Sequence, residues 1–441
     1  MSERNNILEK FRENEDYVND RVKNGIENNR KGYAHISVID KNGEPVKNAQ
    51  IKVVQKNHKF KHGANLFMLD ELESEEKNKK YKDYFKDAFN IATVPFYWSD
   101  LEPERGKPRY DKDSPKVYRR PAPDLCIEFC EKNGIEPREH ALAYDHFFPE
   151  WLDKNDVIAA KKELERRYAE ISQRYADKIP TIEVTNETFW PQGKTALYEE
   201  NDFVEYCFKL AEKYFPHNKL SINEYSGVWC GPIRNRVYYY SQIERAIRNG
   251  ARIDAVGMQY HMFNRLEDEY KATREHYDPV RLFNVLDKYS EFGLPIQITE
   301  VTIPAYTQEA EDEELQAEII KQLYSIWFSH KNVEQIIYWN LVDGYAAFAK
   351  QGDMASGENY YRGGLIRFDF TPKPAYYMVK DLFTKEWITN ADVVTDDAGK
   401  CGFKGFYGEY DVEIIAGGKK FNEKLNLDGG KCKEFNFSLD I

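Results

Sequence analysis

Two apolar runs of the chain, 182–186 and 296–299, are each followed at once by a glutamate, Glu187 and Glu300. Such a pair can divide the work of breaking a glycosidic bond. One carboxyl, protonated, gives its proton to the leaving oxygen, while the other, ionised, attacks the anomeric carbon. Retention of configuration requires the two groups about 5 to 5.5 Å apart, and inversion a wider gap that holds a water. Residues so distant in sequence meet only if the fold delivers both to one mouth.

The elements that would do so are legible as a repeat. Eight short apolar runs, at 63–67, 91–96, 140–144, 182–186, 220–223, 253–258, 296–299 and 336–339, alternate with longer stretches such as 155–175 and 311–329 that carry helical spacing and i, i+4 charge pairs. Eight strand–helix repeats over this length predict a (β/α)8 TIM barrel, whose catalytic groups stand at the C-terminal ends of the strands. A doubly wound open sheet is the competitor, and no GxGxxG or Walker loop follows any run. Outside the repeat, alternating segments at 35–40 and 49–54 read as two half-buried strands joined by the turn at Asn42-Gly43, and 393–415 has the same character. The reading is therefore an α/β chain in four parts: a polar N-terminal helical segment (1–32), a β-segment (33–59), the catalytic barrel (60–385) and a C-terminal β-segment (386–441). The N- and C-terminal β-segments together build a small accessory module.

Composition narrows the partners. The chain has 441 residues, 41% hydrophobic and 31% charged, with a formal net charge of −12 and no basic stripe, so nucleic acid is excluded as an expected partner. No stretch approaches a membrane helix, and 1–31 has no apolar core of a secretory leader. A cytoplasmic location is the expectation; a processed mature form would leave an extracellular one open. The 31 Tyr, 26 Phe and 7 Trp supply flat faces suited to sugar rings as well as to cores. Six cysteines without CxxC spacing read as core thiols, with Cys401 and Cys432 left as a possible bridge. Nine scattered histidines in no HExxH or Cys/His pattern give no metal site, and the two-carboxylate chemistry calls for no metal or cofactor. Oligomeric state is left open.

Beyond the two glutamates, ordered motifs over about residues 60–385 resemble the family 10 glycoside hydrolases, the xylanase family among retaining barrel enzymes. Arg138-Glu139-His140-Ala141-Leu142-Ala143-Tyr144, with Pro149-Glu150-Trp151-Leu152 after it, resembles that family's third strand, and Val184-Thr185-Asn186-Glu187 its acid/base motif. Leu220 to Tyr225 resembles the fifth strand, Ile253 to His261 the sixth, Pro295 to Glu300 the nucleophile strand, and Tyr338-Trp339-Asn340 with Pro372-Lys373-Pro374 the end of the pattern. The resemblance implies Glu187 as general acid then base, and Glu300 as nucleophile, ionised in the free enzyme. It implies Asn186 bonded to the 2-hydroxyl of the reacting sugar and His261 orienting Glu300. His140, Gln259 and Trp339 would line the same site, together with Tyr144 and Asp145, which stand where the family closes its third strand with Trp and His.

Departures bear on the substrate. The family's second-strand Glu-Asn-x-x-Lys cluster is replaced by Thr93 to Asp100 with no equivalent Lys, its fourth-strand Trp-Asp pair by Ile182 and Glu183, and the Asp two residues after the nucleophile by Thr302. A second Trp that would roof the sugar falls at Ala347, which opens space near C5. The expectation is a retaining β-glycosidase hydrolysing β-1,4-xylosidic or related bonds in oligosaccharides or small β-glycosides. A hexose or bulky-aglycone glycosidase is the alternative, and a carbohydrate-binding protein without catalysis the alternative of another class.

Overall fold

Along the segment Ile296–Thr302, aliphatic and polar side chains are interspersed and every residue is buried. A strand of that kind must be covered on both faces, by helices outside and by other strands' polar groups inside. The computed structural model, which describes residues 3–189, 195–234 and 237–441, supplies both covers. Its strands, in chain order, are β1 (Lys31–Asp40), β2 (Gln50–His58), β3 (Lys61–Asn65), β4 (Ile91–Pro95), β5 (Glu136–His140), β6 (Thr181–Asn186), β7 (Lys219–Glu224), β8 (Ala255–His261), β9 (Ile296–Thr302), β10 (Val333–Tyr338), β11 (Asn390–Val394), β12 (Lys400–Phe406), β13 (Gly408–Ala416), β14 (Lys419–Leu427) and β15 (Cys432–Leu439). The strands β3 to β10 close into an eight-stranded parallel barrel in sequence order, with β10 beside β3, which makes the fold a TIM barrel. Helices such as Val157–Tyr175 and Ala310–Ser329 wrap it. The first of these starts where the Asp156 side chain accepts from the backbone N–H groups of Ile158 and Ala159, satisfying two donors the helix cannot.

The third strand corrects the sequence reading. It was expected at 140–144, and the regular strand instead runs Glu136–His140. Residues 142 and 143 only continue the ladder, donating to Glu183 O and Val184 O. A hydrophobicity pattern misses β5 because three of its four buried residues are Arg138, Glu139 and His140, each at most 1% exposed. Two of these side chains, Arg138 and His140, are bonded to Glu183 on the neighbouring strand β6.

A second correction concerns the flanking strands. β1 and β2 were expected to pair across the Asn42-Gly43 turn, yet they lie in different sheets. β1 sits between β12 and β15, whereas β2 sits between β11 and β13, with β14 beyond. The turn does form, with Asp40 Oδ1 accepting from the N–H groups of Asn42 and Glu44, but the chain then crosses from one sheet to the other. Crossing lets Ala34, Ile36 and Val38 of β1 face Ile51 and Val53 of β2 in a separate apolar core with Val412 and Ile414. A hairpin would have left one of those faces in water. Cys401 and Cys432 lie on strands flanking β1 on opposite sides, paired with Ile36 and Tyr33, and both thiols are free. Cys126, Cys130 and Cys207 are buried in the barrel's core.

The polar N-terminal segment packs on the barrel. Asn29 donates to Ser329 O, and Arg30 to the carbonyls of Phe328, His330 and Val333, so cationic and amide donors cap the C-terminus of the helix Ala310–Ser329. No helix among the described residues is long and apolar enough to cross a membrane.

Candidate active site

At the C-terminal ends of the barrel strands lies a cleft of about 330 Å³. Glu187, Glu300, Asn186, His140, Tyr144, Gln259, His261 and Trp339 all line it. Period-two alternation aims every second side chain of each strand into the barrel, so the floor beneath this cleft is polar.

Glu187 follows the last residue of β6 with its backbone in the left-handed region (φ 52°), a conformation that costs a non-glycine residue energy and is concentrated at functional sites. Its Oε1 accepts from Gln259 Nε2 at 3.0 Å, and its Oε2 from the Tyr144 hydroxyl at 2.5 Å. Glu300, on β9, is 3% exposed. Its Oε1 accepts from Asn223 Nδ2 at 3.0 Å, and its Oε2 lies 3.1 Å from His261 Nε2. Both carboxyls thus have each oxygen held by a separate side chain. Asn186 Oδ1 accepts from Gln259 Nε2 (3.1 Å) and Asn223 Nδ2 (3.0 Å), which leaves its NH2 group as the donor available to a hydroxyl in the cleft.

Beneath Glu300, the buried groups Arg138, His140 and Glu183 form a charged cluster. Glu183 receives Arg138 Nη2 on one oxygen and His140 Nδ1, at 2.8 Å, on the other. Burial alone raises the Glu183 carboxyl, but His140 and Arg138 outweigh it and hold the group below its ordinary range. Burial likewise lowers His140, and the Glu183 charge reverses that, so the imidazole is held above its usual value. Its Nδ1 faces Glu183, and its Nε2 lies 2.9 Å from Tyr97 Oη. His140, Glu183 and Glu300 each place a ligand-type atom within 4.8 Å of the others. Within this trio both oxygens of Glu183 are already engaged, one by Arg138 and the other by His140.

Burial pushes Glu300 up to about 8; His140 and Arg138 pull it back, and Glu183 and Glu187 push it further. Burial thus opposes the charge that a nucleophile at this position needs, and the cationic pair beneath it favours that charge. Burial pushes His261 down to about 4, so its ring is neutral. Thr302 Oγ1 lies 2.9 Å from its Nδ1. A hydroxyl donating to Nδ1 leaves the ring proton on Nε2, aimed at Glu300. The Thr at 302 thus fixes a neutral orienting histidine without adding a carboxylate.

Asp145 is the expected site residue that the fold does not bring to the cleft. It is buried, and its Oδ1 accepts from Thr195 Oγ1 at 2.6 Å, which ties the loop after β5 to the segment following β6. Ala347 lines the cleft beside the exposed Phe348.

Sequence reasoning assigned no role to Asn223, whose amide bridges Glu183, Asn186 and Glu300 while its Oδ1 accepts from Thr299 at 2.7 Å. The signal was present, since Asn223 ends an apolar run just as Asn186 does. It packs against Gly257, where a Cβ would come within 2.7 Å of both Asn223 Oδ1 and the Ile222 carbonyl. Gly257→Ala is expected to destabilise the fold by about 1–3 kcal/mol through overpacking and to displace Asn223, lowering activity more than stability. Thermal melts and kcat/KM measured on one preparation check this. Arg119, Arg120 and Glu358 also line the cleft, from segments with no pattern to mark them.

A larger cavity, about 700 Å³, opens at the opposite end of the barrel against the accessory sheets. Its carboxylates Glu136 and Glu334 are paired with Lys61 (2.8 Å) and Lys219 (2.7 Å). That face of a barrel is ordinarily structural.

The comparisons with known proteins agree with the geometry. The family model described as glycosyl hydrolase family 10 matches residues 55–382. Among curated relatives, an anti-sigma-I factor, RsgI6, of Acetivibrio thermocellus is 26% identical over 430 residues, covering 94% of this chain and 48% of its own. Endo-1,4-beta-xylanase 2 of Arabidopsis thaliana is 23% identical, covering 87% and 32%. The chain thus spans half or less of the length of these relatives. Xylanase 10B of Thermotoga petrophila, solved in complex with xylobiose, superposes with a TM-score of 0.59 at 21% identity, covering 74% of this chain and 95% of that one.

Proposed function

This chain belongs to glycosyl hydrolase family 10, and from that premise we propose that it is a retaining, xylanase-like β-glycosidase acting on β-1,4-xylosidic or related bonds of oligosaccharides or small β-glycosides. The observation that carries the reading is the pair Glu187 and Glu300 in one cleft, each with both oxygens held by neighbouring side chains. Orientation of that kind lets a fixed carboxylate meet a reacting carbon without reorganising in the transition state.

In the first step a Glu300 oxygen forms a bond to the anomeric carbon as the glycosidic C–O bond breaks, and Glu187 passes its proton to the departing oxygen. In the second, Glu187 takes a proton from water, the hydroxide oxygen bonds to the anomeric carbon, and Glu300 leaves as a carboxylate. The Asn186 amide would donate to the 2-hydroxyl of the reacting sugar, a contact that strengthens as the ring flattens. Trp339, packed edge-on against Phe67 with ring centroids 5.0 Å apart, would form one wall of the sugar site. The small side chain of Ala347 favours a second reading, in which a hexose or a substituted pentose occupies the donor position.

Turnover of p-nitrophenyl β-xyloside, β-glucoside and β-cellobioside tests the reading and separates the donors. Binding of sugar by calorimetry with no turnover on any of the three would favour a carbohydrate-binding protein instead.

A pH dependence follows from Glu300. The group attacks only when ionised, so covalent labelling by an activated 2-fluoro glycoside is expected to rise with pH through an apparent pKa near 8. The Glu187 charge contributes to raising that value, so Glu187→Gln is expected to move the labelling profile to lower pH. A profile that stays in place would remove Glu187 from the field felt by the nucleophile.

A further inference from the structure

Among the described residues, three carboxylates line the cleft, and two of them, Glu187 and Glu300, have both oxygens held by the protein. The third, Glu358, is half-buried and held differently. Its Oε2 accepts from Asn340 Nδ2 and from the Ala347 backbone N–H, each at 3.3 Å, while no described residue donates to its Oε1. The backbone fixes the same position. The Glu358 N–H donates to the Ala347 carbonyl at 3.0 Å, and Gly357 lets the two segments close, since a Cβ there would lie 2.3 Å from the Phe348 carbonyl oxygen. Arg119 Nη1 donates to Asn340 Oδ1 at 3.2 Å, so a cation polarises the amide that holds Glu358.

The barrel order places this carboxylate relative to a bound sugar. Strands β6 and β10 are four apart in a closed ring of eight, and so stand on opposite walls. Asn186 ends β6, and Asn340, which holds Glu358, follows β10 by two residues. In a pyranose, C2 and C5 also lie across the ring from each other. A sugar whose 2-hydroxyl meets Asn186 therefore turns C5 toward the β10 wall, where Ala347 leaves room and Glu358 offers a fixed acceptor. Xylose carries only hydrogens at C5. A hexose carries a hydroxymethyl group there, and an O–H donated to a carboxylate is among the stronger hydrogen bonds a site can make.

We propose that Glu358 is a specificity-determining residue, whose open oxygen accepts a hydrogen bond from the 6-hydroxyl of a neutral hexopyranosyl unit in the donor position. The inference rests on the glycosidase reading above and chooses, among its donors, the hexose. Space beside Ala347 alone would tolerate a hydroxymethyl group; an acceptor at the edge of that space favours one.

The test measures kcat/KM of the whole chain on dinitrophenyl β-xyloside, β-glucoside and 6-deoxy-β-glucoside, each alone and extended at O4 by one β-glucosyl unit. The 6-deoxy sugar keeps the carbon and lacks the hydroxyl, so it separates the hydrogen bond from the space. Wild-type protein is expected to prefer the glucoside to its 6-deoxy analogue by about 10–100-fold. Glu358→Ala should bring that ratio close to one. Glu358→Gln, which keeps the shape and one acceptor oxygen without the charge, should retain only part of the preference, and it keeps the test decisive if Glu358→Ala does not fold. A carboxylate that merely braces its loop would, when removed, lower both rates together and leave their ratio; that result overturns the inference. Turnover of the xyloside with no preference for the glucoside over its 6-deoxy analogue in wild-type protein overturns this inference alone. Faster turnover of a 6-amino-6-deoxy glucoside than of the glucoside overturns the assignment to a hydroxyl. If no glycoside is turned over, the glycosidase reading falls, and this inference with it.

Discussion

Glu300→Gln is expected to lose turnover of every glycoside by about four orders of magnitude or more, equivalent to at least ~5 kcal/mol of transition-state stabilisation. The amide keeps the shape and can still meet Asn223, but it cannot form the ester that the proposed double displacement requires between its two steps. Intact mass after exposure to a 2-fluoro glycoside checks the assignment. Wild-type protein should gain one fluoroglycosyl unit, on the peptide containing Glu300, and the variant none. Labelling that persists in the variant, or that falls on the buried neighbour Glu183, would overturn it. The fold should survive the change, because Glu300 sits where burial opposes its charge and a neutral side chain of the same size meets less of that opposition.

The second large effect belongs to Glu187→Ala, and it depends on the leaving group. A poor leaving group needs the proton that Glu187 delivers, so its rate should fall by about 10²–10⁴-fold. A dinitrophenyl glycoside leaves without help, and in that case the covalent intermediate should form and then accumulate, because no base activates water. Azide needs no base and is small enough to enter the space left by the missing side chain. Added azide is therefore expected to restore turnover and to give the β-glycosyl azide, the outcome of two successive displacements. An α-azide would mean one displacement only, and the retaining mechanism would be wrong. Gln259 and Tyr144, which hold the two oxygens of Glu187, should lose their influence on rate in this background, since the group they orient is gone.

What the amino-acid sequence determined was the repeat and its punctuation. Apolar runs of strand length recur between amphipathic helices, and a residue's position at the end of such a run is a local property. That sufficed to place Glu187, Asn186, Gln259, His261 and Glu300 at strand ends, and so around one barrel mouth. The third strand escaped because its buried side chains are polar and charged. Arg138, Glu139 and His140 look like surface residues to any pattern that equates burial with apolarity, and only closure of the barrel puts Glu183 beside them. The partners of β1 and β2 escaped for a different reason. Their alternation is equally compatible with a hairpin and with two facing sheets, and the choice was made by strands some 350 residues later that cover the apolar faces. Tertiary structure alone decided that Asp145 turns away to Thr195, that Asn223 ties three acidic and amide groups together, and that burial raises the carboxyl of Glu300. Each of these depends on which atoms lie within about 3 Å across strands distant in the chain. Hydrogen bonding and desolvation act at that range, whereas spacing along the sequence carries only direction and periodicity.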